Sequence, residues 1–413
     1  MGKESITVGI DVGTTKIAVV IARYESEGKL SIIGVGSSPC EGLRRGVVVD
    51  LEKTVEAITT AVNDAELMAG IDVRDAYVGI SGDHIKSLNS RGVIAVSRVD
   101  KTITERDIER VIDAAKAVRL PDEREIIHVI PREFIVDNQD GIKNPLDISG
   151  VRLEVDVHIV TASSTAISNV VKCINRAGID VSDIVLQPLA SSYAVLSTDE
   201  KELGCALIDI GGGTTDLAVF NEGAIRYTTV LGIGGKNVTS DIAIGLRTPI
   251  EDAETIKVNH GCALRSMVSK TETITVQSPG GRDPRQVSLD ILGTIIEPRV
   301  EELFVMVKQE MRDKDLMGML GAGIVLTGGA SLLRGSAELA EQIFDTPVKV
   351  GYPQGFKGGF TDIVNNPSYA TVLGLVLYGT ESEGGRDYPV RGKNMAVIKG
   401  ITSNLKKWFQ DFM

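Results

Sequence analysis

The sequence predicts an α/β protein of two lobes of similar design with an inserted α+β module, and three observations predict it. An apolar run ending in Asp11-Val12-Gly13-Thr14-Thr15-Lys16 returns 198 residues later, ending in Asp209-Ile210-Gly211-Gly212-Gly213-Thr214-Thr215-Asp216. That spacing marks duplicated halves, since solenoid repeats recur every 20 to 50 residues or so. Between the copies, a stretch near 84–162 carries strand and helix patterns of its own. The 413 residues also exceed what one core organises at about 150 residues per domain.

Taken in order, Ile6 to Val12 and Ile17 to Ala22 are apolar runs around a glycine turn, a hairpin signal. Ser31 to Val35 and Gly46 to Val49 continue as strands. Asp50 opens a helix to Ala69 that Gly70 stops, and Asp75 to Ile80 returns as a strand. Within the insert, Gly92 to Val96 reads as a strand. Thr104 caps a helix from Glu105 to about Val118, with Asp107 three residues after the cap. Ile126 to Val136 and Val151 to Val160 alternate as strands of a half-exposed sheet. The insert is a binding module or an ordinary elaboration. Residues 381–395, with Gly, Pro and mixed charge, read as a linker.

Composition narrows the function. The 44 Lys and Arg against 56 Asp and Glu give −12, which excludes a chain-wide nucleic-acid footprint. The charge is uneven: Arg391 to Met413 holds five basic residues and one acid, a net +4, leaving −16 for residues 1–390. The four cysteines, Cys40, Cys173, Cys205 and Cys262, are scattered without metal-site spacing and read as buried reduced thiols. No run of about 18 apolar residues predicts a membrane span, and the N-terminus enters a strand with no signal-peptide pattern, so a cytoplasmic protein is expected.

The chemistry concentrates in glycine turns. In the first, backbone N–H groups of Gly13, hydroxyls of Thr14 and Thr15, and the charge of Lys16 suit an anion. Asp11 would repel phosphate unless a divalent cation lay between, so it reads as a Mg²⁺ partner. Alone, this is also an ordinary Asp-x-Gly turn. The second copy, Asp209 with Gly211 to Gly213, Thr214, Thr215 and Asp216, makes two turns able to grip a polyphosphate from both sides. A third turn, Gly328-Gly329-Ala330, follows an apolar strand and suits the nucleoside end, and Glu254 and Lys257 share a helix face that suits ribose or base, or form a surface ion pair. Neither a P-loop nor a Rossmann fingerprint is present.

These motifs, with Gln187-Pro188-Leu189-Ala190-Ser191 and Pro367 to Tyr378, resemble in order the phosphate loops, connecting helices and adenosine loop of the actin/Hsp70/sugar-kinase ATPase superfamily. Within it, Gly79 to Ile85, His128 to Pro131, Gly141 to Pro145 and His260 to Leu264 make the chain most similar to the bacterial FtsA family of cell-division proteins. The resemblance implies an actin-like two-lobed ATPase fold whose 1C (SHS2-like) insert replaces actin subdomain 1B. It implies subdomain 1A at 1–83, 163–196 and 372–380, 1C at 84–162, 2A at 197–228 and 303–371, and 2B at 229–302. ATP and Mg²⁺ are then the cofactors, with Asp11 and Asp209 at the metal and Gln187 and Asp209 in catalytic positions. Gly235 and Lys236 join the nucleotide contacts. Slow ATPase activity at most is implied. The partners are FtsZ, further copies in a filament, and later division proteins at the inner face of the cytoplasmic membrane. A sugar kinase, an Hsp70-like machine and an actin-like pilus-assembly adaptor are the alternatives.

The C-terminus carries its own signal. At 100° per residue, Val397, Ile398, Ile401, Leu405, Trp408, Phe409, Phe412 and Met413 share an arc of about 160°. Lys399, Lys406 and Lys407 lie opposite. Such a segment suits an anionic membrane surface; the alternative is docking onto its own body.

Overall fold

The computed structural model describes residues 5–24 and 30–383. The linker beyond Glu383 and the amphipathic segment 396–413 lie outside the described residues. The first lobe is built on a six-stranded sheet in the spatial order Asp180–Leu186, Asp75–Ile80, Ser5–Val12, Lys16–Tyr24, Leu30–Pro39, Phe356–Gly359. The second holds a five-stranded sheet in the order Ala224–Leu231, Thr215–Asn221, Cys205–Ile210, Ile324–Thr327, Val348–Val350.

The two sheets share one plan. Each has three antiparallel strands in sequence, and the first of the three also pairs in parallel with a strand from far along the chain, Asp75–Ile80 in one and Ile324–Thr327 in the other. Parallel partners require crossovers, so the middle strands are covered on both faces and read as continuous apolar runs. Ile10, Ile17, Val19, Leu207, Ile208 and Leu217 are fully buried.

Helix Leu51–Ala69 starts as expected: Asp50 accepts from the Lys53 N–H at 3.1 Å, and Gly70 closes it in the left-handed conformation at φ 68°. The linker reading needs correction at its near end. Helix Ala370–Glu383 runs through Glu381 to Glu383, because the apolar stretch from Val372 to Tyr378 anchors it and nothing breaks it before the glycines that follow.

The insert forms a four-stranded antiparallel sheet in the order Lys86–Ala95, Arg152–Ser163, Arg124–Val136, Gln139–Ile142. Helix Glu105–Lys116 packs on it around Phe134, Ile103, Ile112 and Leu153. Asp107 accepts from the Thr104 N–H at 3.2 Å and hydroxyl at 2.7 Å, so the acid three residues after the cap closes the helix start that the sequence suggests. All four cysteines are free and buried.

Although its chain enters and leaves through the first lobe, the insert also touches the second. The Ser87 hydroxyl donates to the Thr228 carbonyl at 2.7 Å, and Lys143 pairs with Glu202 at 2.9 Å. His158 Nε2 meets the Thr228 hydroxyl at 3.0 Å, and its Nδ1 meets Asn89 at 2.8 Å. Nearby, His128 Nε2 accepts the Leu186 N–H at 2.9 Å. Burial holds His128 down at about 4 and His158 down at about 3, against an ordinary 6.5. Both are therefore neutral in the folded protein. Their stabilisation is complete above 6.5 and is lost as pH falls toward these values, by up to about 1.4 kcal/mol per pH unit each. In imidazole NMR titrations, both rings are expected to stay neutral at pH 5.5. Movement with a midpoint near 6.5 would contradict the packing described.

Candidate functional site

Both hairpin turns face one cleft, which holds a cavity of about 110 Å³ lined by Asp11, Gly13 to Lys16, Ser81, Gln187, Asp209, Gly211 to Thr214, Asp216, Gly328 and Gly329 among others. Asp11 ends the first strand of one sheet, and Asp209 holds the equivalent place in the other, paired across its hairpin with Asp216.

Each carboxylate is held by a neutral donor. Gln187, first residue of helix Gln187–Val195, donates from Nε2 to Asp11 at 2.7 Å. Ser191, one turn further on the same helix face, donates to Asp209 at 2.6 Å, and Thr371 does so at 3.2 Å from the start of helix Ala370–Glu383. Asp216 takes the Ser81 hydroxyl, and that of Thr214 at 3.2 Å.

Burial first, then Asp209, lifts Asp11 to about 7, with Lys16 opposing. Burial and Asp209 lift Asp216 to about 8, and burial raises Asp209. This linkage opposes that of the histidines: its stabilisation is present below about 3.8 and lost as pH rises through 7 to 8. Among the described residues no three acidic, histidine or cysteine side chains come together as a ready-made metal cage; the buried carboxyls of Asp11 and Asp209, one from each lobe, are oxygen donors of the kind a hard divalent ion takes when bound ligand and water complete its shell.

The glycines fit a cradle. A Cβ at Gly212 would lie 2.2 Å from the Thr15 methyl, and one at Gly213 2.6 Å from that of Thr14, so the two loops interdigitate where a side chain would fill the cleft. Lys16 packs 3.8 Å over the Tyr369 ring and donates to the Ser368 carbonyl at 3.2 Å. Lys236 crosses between lobes to the Thr14 carbonyl at 3.0 Å.

The remaining sequence-derived residues divide. Gly235, Ala330 and Lys257 are neighbours, a Cβ on Gly235 lying 3.2 Å from that of Ala330 and 3.5 Å from Lys257 Nζ. Lys257 also pairs with Glu254 at 2.7 Å and donates to Thr239 at 2.9 Å. These residues sit beside the cavity and do not line it. Thr215 faces away: fully buried, its hydroxyl donates to the Ile233 carbonyl at 2.8 Å and braces the loop from behind. Ser81, Ser191 and Thr371 carry contacts that sequence reasoning assigned to no residue. Ile401, Leu405, Lys406, Lys407, Trp408, Phe409 and Phe412 lie outside the described residues.

The family described as Cell division protein FtsA matches residues 206–374, and the SHS2 domain inserted in FtsA matches residues 82–161. The Cell division protein FtsA of Pseudomonas aeruginosa is 46% identical over 407 residues, covering 98% of this chain and 97% of the relative. The chain belongs to the FtsA family. The FtsA of Escherichia coli K12 is 42% identical over 414 residues, covering 98% of each chain. Among solved structures, the PilM–PilN type IV pilus biogenesis complex aligns with TM-score 0.66 at 18% identity, over 90% of this chain and 98% of that one. Spiroplasma citri MreB5 bound to AMPPNP aligns with TM-score 0.53 at 15% identity, over 89% and 94%. At these identities the likeness establishes the fold, which is actin-like with an SHS2 insert.

Proposed function

We propose that this FtsA-family chain binds ATP with Mg²⁺ in the cleft between its lobes, assembles into filaments, and tethers FtsZ polymers to the inner face of the cytoplasmic membrane through residues 396–413. It would then help recruit later division proteins. The observation that carries the reading is the duplicated strand-carboxylate-glycine turn, closing on one cleft from both lobes.

Asp11 and Asp209 would hold the metal, directly or through water, and the backbone of Gly211 to Gly213 and Gly13 to Thr15 would cradle phosphates. Gly235, Lys257, Glu254 and Gly328 to Ala330 would border the nucleoside. The bound ion supplies charge neutralisation for the phosphates and the carboxyls. Gln187 spends its Nε2 donor on Asp11, so its amide oxygen is the group that would accept from a water; slow turnover is consistent with that restraint. At about 110 Å³ the cavity is below the 300 Å³ or so of a typical ligand pocket, so a nucleotide would enter a cleft wider than this one.

The membrane reading rests on charge and pattern. A body of −16 is repelled by anionic lipid, and the stretch Arg391 to Met413, net +4 and holding Trp408, Phe409 and Phe412, supplies attraction. A single amphipathic segment binds reversibly, and an array of them gains avidity. Deleting residues 396–413 is expected to abolish ATP-dependent sedimentation with phosphatidylglycerol vesicles. Undiminished binding would end the tethering role of that segment.

A further inference from the structure

Outside the cleft, the first lobe carries a groove of mixed lining, with apolar side chains at its rim, that nothing in the function above uses. A cavity of about 210 Å³ is lined by Pro353, Phe356, Val364 and Leu373 together with the polar Gln354, Thr361, Asp362 and Asn365. Around it, Tyr352 is 45%, Phe360 40% and Ile363 49% exposed. Strand Phe356–Gly359 lies at the outer edge of its sheet, so among the described residues no further strand covers this side. The excursion is pinned: Gly359 has φ 68°, and a Cβ there would meet the Ile32 carbonyl at 1.8 Å, which fixes where Phe360 projects.

We propose that this groove is the docking site of the chain's own C-terminal segment, residues 396–413, with an aromatic residue centred on Trp408 seated in the cavity, so that groove and membrane compete for one apolar face. Chain geometry supports that occupant. Leu373, which lines the cavity, lies ten residues before Glu383 on the same helix, about 15 Å along its axis. Trp408 follows Glu383 by 25 residues, a length whose fully extended limit is about 85 Å, several times that distance. The groove therefore sits well inside its reach, where tethering gives an effective concentration in the millimolar range.

Charge and apolarity agree. The segment carries Lys399, Lys406 and Lys407 against Asp411, a net +2, residues 1–390 carry −16, Asp362 stands exposed at the groove, and Lys406 and Lys407 directly precede Trp408. Trp408, Phe409 and Phe412 would otherwise face water together, as would Phe360 and Ile363. Docking joins the two surfaces and withholds the segment from lipid. The apparent vesicle affinity is then reduced by the undocked fraction, about tenfold if nine-tenths of the chains are docked.

Trp408 is the chain's one tryptophan, so emission of the full-length protein reports on it alone. In vesicle-free buffer the emission is expected to be blue-shifted and protected from acrylamide, independently of protein concentration. Ile363→Asp and Phe360→Asp, each at an exposed position, are expected to shift it to the value of the denatured chain and to tighten binding to phosphatidylglycerol vesicles by up to about tenfold. A photo-crosslinker replacing Trp408 in the otherwise unaltered chain should label residues 352–373 of the same molecule, whatever the variants do to folding.

A solvent-exposed emission in the wild type, or labelling that misses 352–373, overturns the proposal. So does a shift that grows with concentration, which would give the groove to a second copy. The vesicle arm rests on the membrane reading of residues 396–413, whereas fluorescence and crosslinking do not. Failure of the deletion test with a docked Trp408 removes the membrane role alone, and the reverse pattern removes the groove alone.

Discussion

Gly328→Ala is expected to cost the protein at least tenfold in Mg·ATP affinity, whereas Gly329→Ala, one residue on, leaves it within a factor of two or three of wild type. Gly328 has φ 83° and ψ 164°, a region open to glycine and costing other residues about 1 to 3 kcal/mol. Its added methyl would also lie 2.3 Å from Asp209 Oδ1 and 2.6 Å from the Ile210 carbonyl. The backbone cannot yield as a flexible side chain would, so Asp209 must leave the hydroxyls of Ser191 and Thr371 that now hold it. At Gly329 the nearest atom to a new Cβ is that of Ser368 at 3.5 Å, an ordinary contact. Titration calorimetry with Mg·ATP on both variants checks the pair. Equal affinities would show that the third glycine turn does not shape the site.

What the sequence revealed of this site, and what it concealed, follows chain separation. The two hairpins are legible because strand, carboxylate, glycine and hydroxyl fall within about a dozen residues, and one copy interprets the other. The capping of helix Glu105–Lys116 and the glycine stop after Ala69 are equally local. The donors that hold the carboxylates are not local. Ser81 reaches Asp216 over 135 residues and Thr371 reaches Asp209 over 162, and no pattern near either residue predicts such a contact.

Ser191 is intermediate: it follows Gln187 by one helical turn, so a helix presenting Gln187 to the cleft presents Ser191 beside it. The reading of Thr215 as a cleft residue fails because the second copy does not repeat the first in full: Thr14 and Thr15 both line the cavity, whereas Thr215 already opens strand Thr215–Asn221 and turns its hydroxyl to the Ile233 carbonyl. The parallel neighbours Asp75–Ile80 and Ile324–Thr327, which complete the likeness between lobes, required the fold itself.

Gly374→Ala is expected to lower stability by about 2 to 4 kcal/mol, against the direction that local propensity gives. Gly374 lies in helix Ala370–Glu383, where alanine is worth about 1 kcal/mol over glycine. Packing decides the sign. A Cβ at Gly374 would lie 1.8 Å from the Ala190 carbonyl and 2.4 Å from its carbon, both backbone atoms of helix Gln187–Val195. The two helices touch here without a side chain between them, and accommodating one methyl means moving the axes apart. Val372, Leu373, Leu375 and Val376 around the crossing are at most 1% exposed, so the displacement opens space in the core on either side. It also reaches the cleft, because one helix presents Gln187 and Ser191 to Asp11 and Asp209 while the other presents Thr371. Urea unfolding and Mg·ATP affinity should therefore fall together in Gly374→Ala. At Gly318, where an added Cβ meets nothing within 4 Å, the same substitution should leave both unchanged. A stabilised Gly374→Ala, or one that loses stability while binding Mg·ATP as wild type does, would mean that this helix contact does not hold the carboxylate donors in place.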